Sequence, residues 1–149
     1  MTEANIYPFK KKNIGLVILL SIVTLGVYIG YWFISLRSSF QLVDKKNNIP
    51  FKWWIAATIY LSVSIVFSII GEFVFSIVGL YMLDSIDLIL TYFFLGLLYY
   101  SLFRMKESLE EVYAEADVNK YLLFFFHIWY IQYKINKIVE SRGLPHEKI

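Results

Sequence analysis

Charge is absent from four long stretches of this chain, residues 13–36, 53–71, 88–103 and 121–133, and every charged residue lies in the five clusters around them. A helix needs about 20 apolar residues to cross the ~30 Å hydrocarbon core of a bilayer. The first two stretches reach that length, the third does so once Ser85 and Ile86 join it, and the fourth falls short. At 58% hydrophobic and 17% charged residues, the chain departs from soluble domains, which average roughly 45–50% apolar and about 25% charged. Its 149 residues allow one domain. The expected fold is all-α, an integral membrane protein.

Positive charge then constrains how the stretches cross. Lys and Arg near the ends of membrane segments collect on the cytoplasmic side. If all four stretches cross, the 14 Lys and Arg divide evenly between the two faces. If only 53–71 and 85–103 cross, all 14 lie on one face, and the third cluster, Glu72, Asp84 and Asp87, is left on the other. We adopt the second arrangement: a central transmembrane helical hairpin flanked by N- and C-terminal re-entrant or interfacial aromatic-rich segments, with both termini cytoplasmic. The alternative is a three- or four-helix bundle in which 13–36 simply spans. An N-terminal signal peptide is not expected, because 13–36 is too long for an h-region and lacks an A-x-A site. The chain is divided into a basic arm (1–12), a first apolar segment (13–36), two transmembrane helices (53–71 and 85–103), an amphipathic cytoplasmic helix (104–120), an aromatic interfacial segment (121–138) and a tail (139–149).

In the first segment, Thr24-Leu25-Gly26-Val27-Tyr28-Ile29-Gly30-Tyr31-Trp32 combines two glycines with β-branched residues, which lowers helix propensity where a re-entrant hairpin would turn. Thr24 is placed to cap the returning helix, and Tyr28, Tyr31 and Trp32 to anchor it at headgroup depth. The competing reading is a straight helix in which Gly26-x-x-x-Gly30 is a packing face. This stretch resembles the T-F-G-I-Y-x-x-Y-W signature of a family of small prokaryotic membrane proteins catalogued as a domain of unknown function, with Leu25 where Phe is usual. Tyr130, Gln132, Tyr133, Lys134 and Asn136 resemble that family's closing motif. The resemblance covers the two ends of the chain, implies a bacterial cytoplasmic membrane protein, and supplies no activity. The ends also resemble each other: residues 27–32 can be laid on 129–134, matching a Tyr-x-x-Tyr step, each after an apolar run.

The second apolar stretch opens with Lys52-Trp53-Trp54, an expected interfacial anchor. Along it Tyr60, Ser64, Ser68 and Glu72 recur every four residues and share one helix face. Such a face serves helix packing, or it forms a polar track to a carboxylate for a cation or proton. Residues 73–83 belong either to the far end of a tilted second helix or to a short surface helix. Asp84 and Asp87 read as the N-cap and dipole complement of the next helix. On that helix Tyr92, Gly96, Tyr99 and Phe103 form the face expected to meet its predecessor. Beyond it Met105, Leu109, Val112 and Ala116 make an apolar stripe opposite Glu107, Glu110, Glu111 and Glu115.

Little chemistry is encoded. Zero cysteines remove thiolate ligands, disulfides and cysteine nucleophiles. His127 has only His146 besides it, so neither metal nor another cofactor is expected. No hydrolase, phosphate-loop or zinc-peptidase motif occurs. A net charge of +2 gives no reason to expect nucleic acid. The expected function is non-enzymatic: interaction with the lipid bilayer, a second copy of the chain or another membrane protein. The alternative is a transporter or channel component using the Tyr60–Glu72 face.

Overall fold

The computed structural model describes residues 9–43, 49–113 and 116–141. The outer basic arm (1–8), part of the first loop (44–48), residues 114–115 and most of the tail (142–149) lie outside the described residues. The described elements are all helical: α1 (Ile14–Val23), α2 (Val27–Val43), α3 (Phe51–Val74), α4 (Ile77–Val112) and α5 (Lys120–Ser141).

The first apolar segment turns back on itself. Asn13 caps α1 through its side chain, and α1 ends after ten residues. Leu25 N–H then bonds Ile22 O at 3.1 Å and Gly26 N–H bonds Ser21 O at 3.0 Å, the paired bonds of a Schellman stop. This stop requires positive φ, which Leu25 (48°) and Gly26 (94°) supply. The Thr24 hydroxyl accepts the Tyr28 amide at 2.9 Å and so caps α2, as its position suggested. Lys12, ahead of α1, donates to Ser35 on α2 at 2.8 Å, so the two arms run antiparallel. The expected turn is present, and no single helix runs through 13–36.

From there α2 packs antiparallel along α3, the most extensive helix pairing among the described residues. Phe33 stacks on Trp54 with ring centroids 3.9 Å apart, and one turn along Gly30 faces Thr58. The two glycines divide the work foreseen for them. Gly26 supplies the turn, with nothing within 4 Å of an added Cβ, whereas a Cβ on Gly30 would overlap Thr58 Oγ1 and lie 3.2 Å from its Cβ.

The boundaries of the central helices differ from expectation. The helix placed at 53–71 runs from Phe51 to Val74, and that placed at 85–103 begins at Ile77, where the Ser76 side chain caps it. Asp84 and Asp87 therefore sit about two turns or more inside α4 and neither caps nor starts a helix. The supposed cytoplasmic helix 104–120 is the continuation of α4 and stops at Val112. Met105 and Leu109 of its stripe are buried, but Val112 is exposed and Ala116 lies in the connector to α5. Nor do Tyr92, Gly96 and Phe103 face α3: all three are exposed, and Leu98, Ser101 and Leu102 are buried instead. Trp54, not Trp53, is the buried member of its pair, and its indole donates to Ser101 at 2.9 Å.

At the other end, α5 is two arms joined at His127, whose φ of 43° and ψ of −126° are non-helical. Asn119 N–H donates to Tyr130 Oη at 3.2 Å and Lys134 reaches the Asp117 carbonyl, so this segment is a second, shorter hairpin. Leu25 and His127, the two non-glycine residues of positive φ among the described residues, occupy matching places in the repeat that lays 27–32 on 129–134. The core lies where α2, the start of α3, the end of α4 and the second arm of α5 meet, around Trp32, Phe33, Leu102, Met105, Ile131 and Ile135.

Gly26→Val should lower the detergent melting temperature through backbone strain of about 1–3 kcal/mol. Gly30→Ala should lower it through crowding, and Thr58→Ala should recover part of the Gly30→Ala loss while leaving the Gly26→Val loss unchanged. Thermal unfolding of the wild type, the three single variants and the two double variants checks both mechanisms.

Candidate functional site

Two groups of polar side chains stand out, one in a cleft and one in the core. The cleft, of about 420 Å³, lies between α3 and the first half of α4. The helical period brings Tyr60, Ser64, Ser68 and Glu72 of α3 to one wall, and Asp84 and Asp87 stand on the other. The four residues singled out from spacing therefore do share a site, but its centre is Asp87. Tyr60 Oη and Ser64 Oγ both donate to Asp87 Oδ1, the latter at 2.9 Å. Ser68 turns its hydroxyl back to the Ser64 carbonyl at 2.9 Å. Glu72 and Asp84 line the exposed mouth. No group of three potential metal-ligating side chains converges among the described residues.

The second group contains the residues of the two terminal motifs. Trp32 and Gln132 are fully buried, and the Trp32 indole donates to Gln132 Oε1 at 2.8 Å. Gln132 Nε2 donates to Asn136 Oδ1 at 2.9 Å. Asn136 then pairs with one peptide unit of the N-terminal arm: Oδ1 accepts Lys12 N–H at 3.0 Å and Nδ2 donates to Lys12 O at 2.6 Å. A side-chain amide is thereby satisfied on both edges, as buried amides require. Trp32 is thus a core residue and not the interfacial anchor expected of it. Tyr28 and Tyr31, ring centroids 5.8 Å apart, and Tyr130 and Tyr133, 6.4 Å apart, stay at or near the surface in both repeats.

Two further groups hold the second hairpin. Tyr99 Oη lies 2.9 Å from His127 Nε2. Glu110 accepts the Val118 amide at 3.0 Å and pairs with Lys106. Burial pushes its carboxyl up, but these two contacts and Lys134 outweigh that and hold it below the usual carboxylate range.

Sequence reasoning missed Asp87, because an acid three residues after another reads as a helix start. The signal available was its spacing: seven residues before Phe94, whose ring packs 5.5 Å from Tyr60, it falls on the same α4 face. It also missed that the two end motifs meet. No family of known proteins, no curated protein and no solved structure matches the chain.

Gln132→Leu should destabilise the protein by about 1–3 kcal/mol for each buried group it orphans. Adding Trp32→Phe, which removes the stranded indole donor, should restore part of the loss. A melting series of the two single variants and the double variant checks this; equal losses in Gln132→Leu and in the double variant would contradict it.

Proposed function

We propose that this chain is a bilayer-embedded, non-enzymatic protein that acts through contacts with lipid or with other membrane proteins, a second copy included. One observation carries the reading. The apolar windows of α3 and α4 are only 17% and 22% buried, with Phe73 90% and Ile69 70% exposed. The core helix of a soluble protein buries such a face, and contiguous apolar surface of this extent marks a membrane or partner contact. At 24 residues α3 is about 36 Å long, enough to span. Residues 53–103 contain no Lys or Arg, so the positive-inside pattern puts the packed base on the cytoplasmic side and the Phe75–Ser76 connection outside. The resemblance of the two end motifs to a small prokaryotic membrane family is the ground on which we propose a bacterial cytoplasmic membrane.

In cells, Ser76→Cys should react with a membrane-impermeant maleimide, while Lys10→Cys and Glu107→Cys should react only after permeabilisation. Reaction of Lys10→Cys in intact cells, with Glu107→Cys protected, would contradict the hairpin topology. Release of the protein by alkaline carbonate would contradict membrane insertion altogether.

The cleft favours a second reading. Asp87 lies ten residues along α4, about 15 Å from its start and so near the bilayer midplane on this topology. A carboxylate at that depth is a candidate for carrying a proton or cation, with Tyr60 and Ser64 as its partners. Under this reading Asp87→Asn and Glu72→Gln abolish a pH-gradient-driven flux in proteoliposomes that Glu107→Gln leaves intact. Wild-type flux no greater than that of empty liposomes would remove it.

A further inference from the structure

The two terminal hairpins reach different depths along α3 and α4, and both stop short of the far half. Phe33 is level with Trp54 and Gly30 with Thr58, so Gly26, at the near edge of the turn, comes level with residues 61–62 of α3. That is about 15 Å beyond Phe51, half of the ~30 Å hydrocarbon core. The ten-residue α1 has the same length, about 15 Å. The second hairpin ends sooner. Tyr99, two residues deeper along α4 than the Ser101 that Trp54 bonds, stacks on Phe124 at 4.9 Å, so the turn of this hairpin lies about 7 Å beyond Phe51, roughly half as deep as the first.

Both tips are apolar and uncovered. Leu25 is 74% exposed and flanked by exposed Ile22 and Val23; Phe125 is 69% exposed and flanked by exposed Phe124 and Phe126. Basic residues lie at the opposite, base end: Lys10, Lys11 and Lys12 before α1, Lys52 before Trp53, and Lys134 and Lys137 along the second arm of α5. An apolar tip below a basic collar matches the depth profile of one leaflet, acyl chains under anionic headgroups. Past residue 62 of α3 and before Phe93 of α4, the one buried residue is Gly71, against Leu80, so among the described residues the far half consists of α3 and α4 alone.

Building on the membrane reading above, we propose that the protein is a one-leaflet wedge: both terminal hairpins displace lipid in the leaflet on the basic side, only α3 and α4 occupy the other, and the chain therefore prefers membrane that is convex on its basic side. The occupant of both apolar tips is lipid acyl chain. The Trp32–Gln132–Asn136–Lys12 chain of hydrogen bonds keeps the two insertions together, so that they act as one enlarged cross-section.

The test uses the full-length protein carrying a dye-labelled Glu107→Cys, reconstituted into sonicated small and extruded large vesicles of the same phosphatidylethanolamine–phosphatidylglycerol mixture. The wedge predicts occupancy per lipid roughly threefold or more higher in small vesicles, with the base facing outward, since curvature sensing of this kind scales with inserted apolar area. Leu25→Asp with Phe125→Asp should bring the ratio close to unity. Both residues are exposed and aspartate tolerates positive φ, so the variant should retain its helical circular dichroism and melting temperature. As a second measurement, a fluorophore on Leu25→Cys should be quenched by lipids brominated deep in the acyl chain and not by iodide. Equal occupancy and orientation in both vesicle sizes, with the protein resisting carbonate, would overturn the wedge and leave the membrane reading standing. Iodide quenching at Leu25→Cys would overturn it too, and failure to be retained in either vesicle would overturn both.

Discussion

Trp32 donates its indole N–H to Gln132 where neither side chain meets water, and Gln132 passes the interaction through Asn136 to the backbone of Lys12. The positions of the other elements follow from that chain of bonds. Trp32 fixes the rotation of α2, which sets Phe33 on Trp54 and Gly30 on Thr58. Gln132 and Asn136, one turn apart, fix the rotation of the second arm of α5 and turn Ile128, Ile131 and Ile135 into the same core. A buried polar network in which each member is satisfied specifies one arrangement, because every shifted register leaves a donor or acceptor without a partner. Apolar packing alone is more permissive.

The pattern of charge in the sequence was enough to find α3 and α4 and to favour a first segment that turns back. Its glycines and Thr24 confined the turn to residues 21–33 while leaving a straight helix open. Helix boundaries were not legible around Asp84 and Asp87. Acids there mimic a helix start, and only the pairing of Asp87 with Tyr60 and Ser64 on the facing helix explains why they sit mid-helix. The same holds for Trp32. A tryptophan beside two tyrosines reads as a surface belt, and its burial depends on Gln132, a hundred residues away. Tyr60, Ser64, Ser68 and Glu72 were placed together correctly by their four-residue period, while the second wall of the cleft needed the fold.

The repeated Tyr-x-x-Tyr step shows how two unlike stretches arrive at one shape. Leu25 and His127 take positive φ without being glycine, a sparsely populated backbone that costs on the order of 1–3 kcal/mol. Each is held by what surrounds it: Leu25 by the Schellman bonds and the Gly26 that follows, His127 by Tyr99. The first hairpin packs along α3; the second is shorter and latched by Glu110 and Tyr130.

The bond between Asn136 and Lys12 spans 124 residues and also has a consequence in time. During synthesis at about 5–20 residues per second, the partner of Lys12 appears some 6–25 s after Lys12 itself. Until then Trp32 lacks its acceptor, and the first hairpin exists without its lock. The nascent chain must hold that hairpin by α2–α3 packing alone, so Gly30 and Thr58 govern early survival and Gln132 completes the structure late. A chain truncated before Gln132 would keep the α2–α3 contacts and lack every bond that joins its two ends.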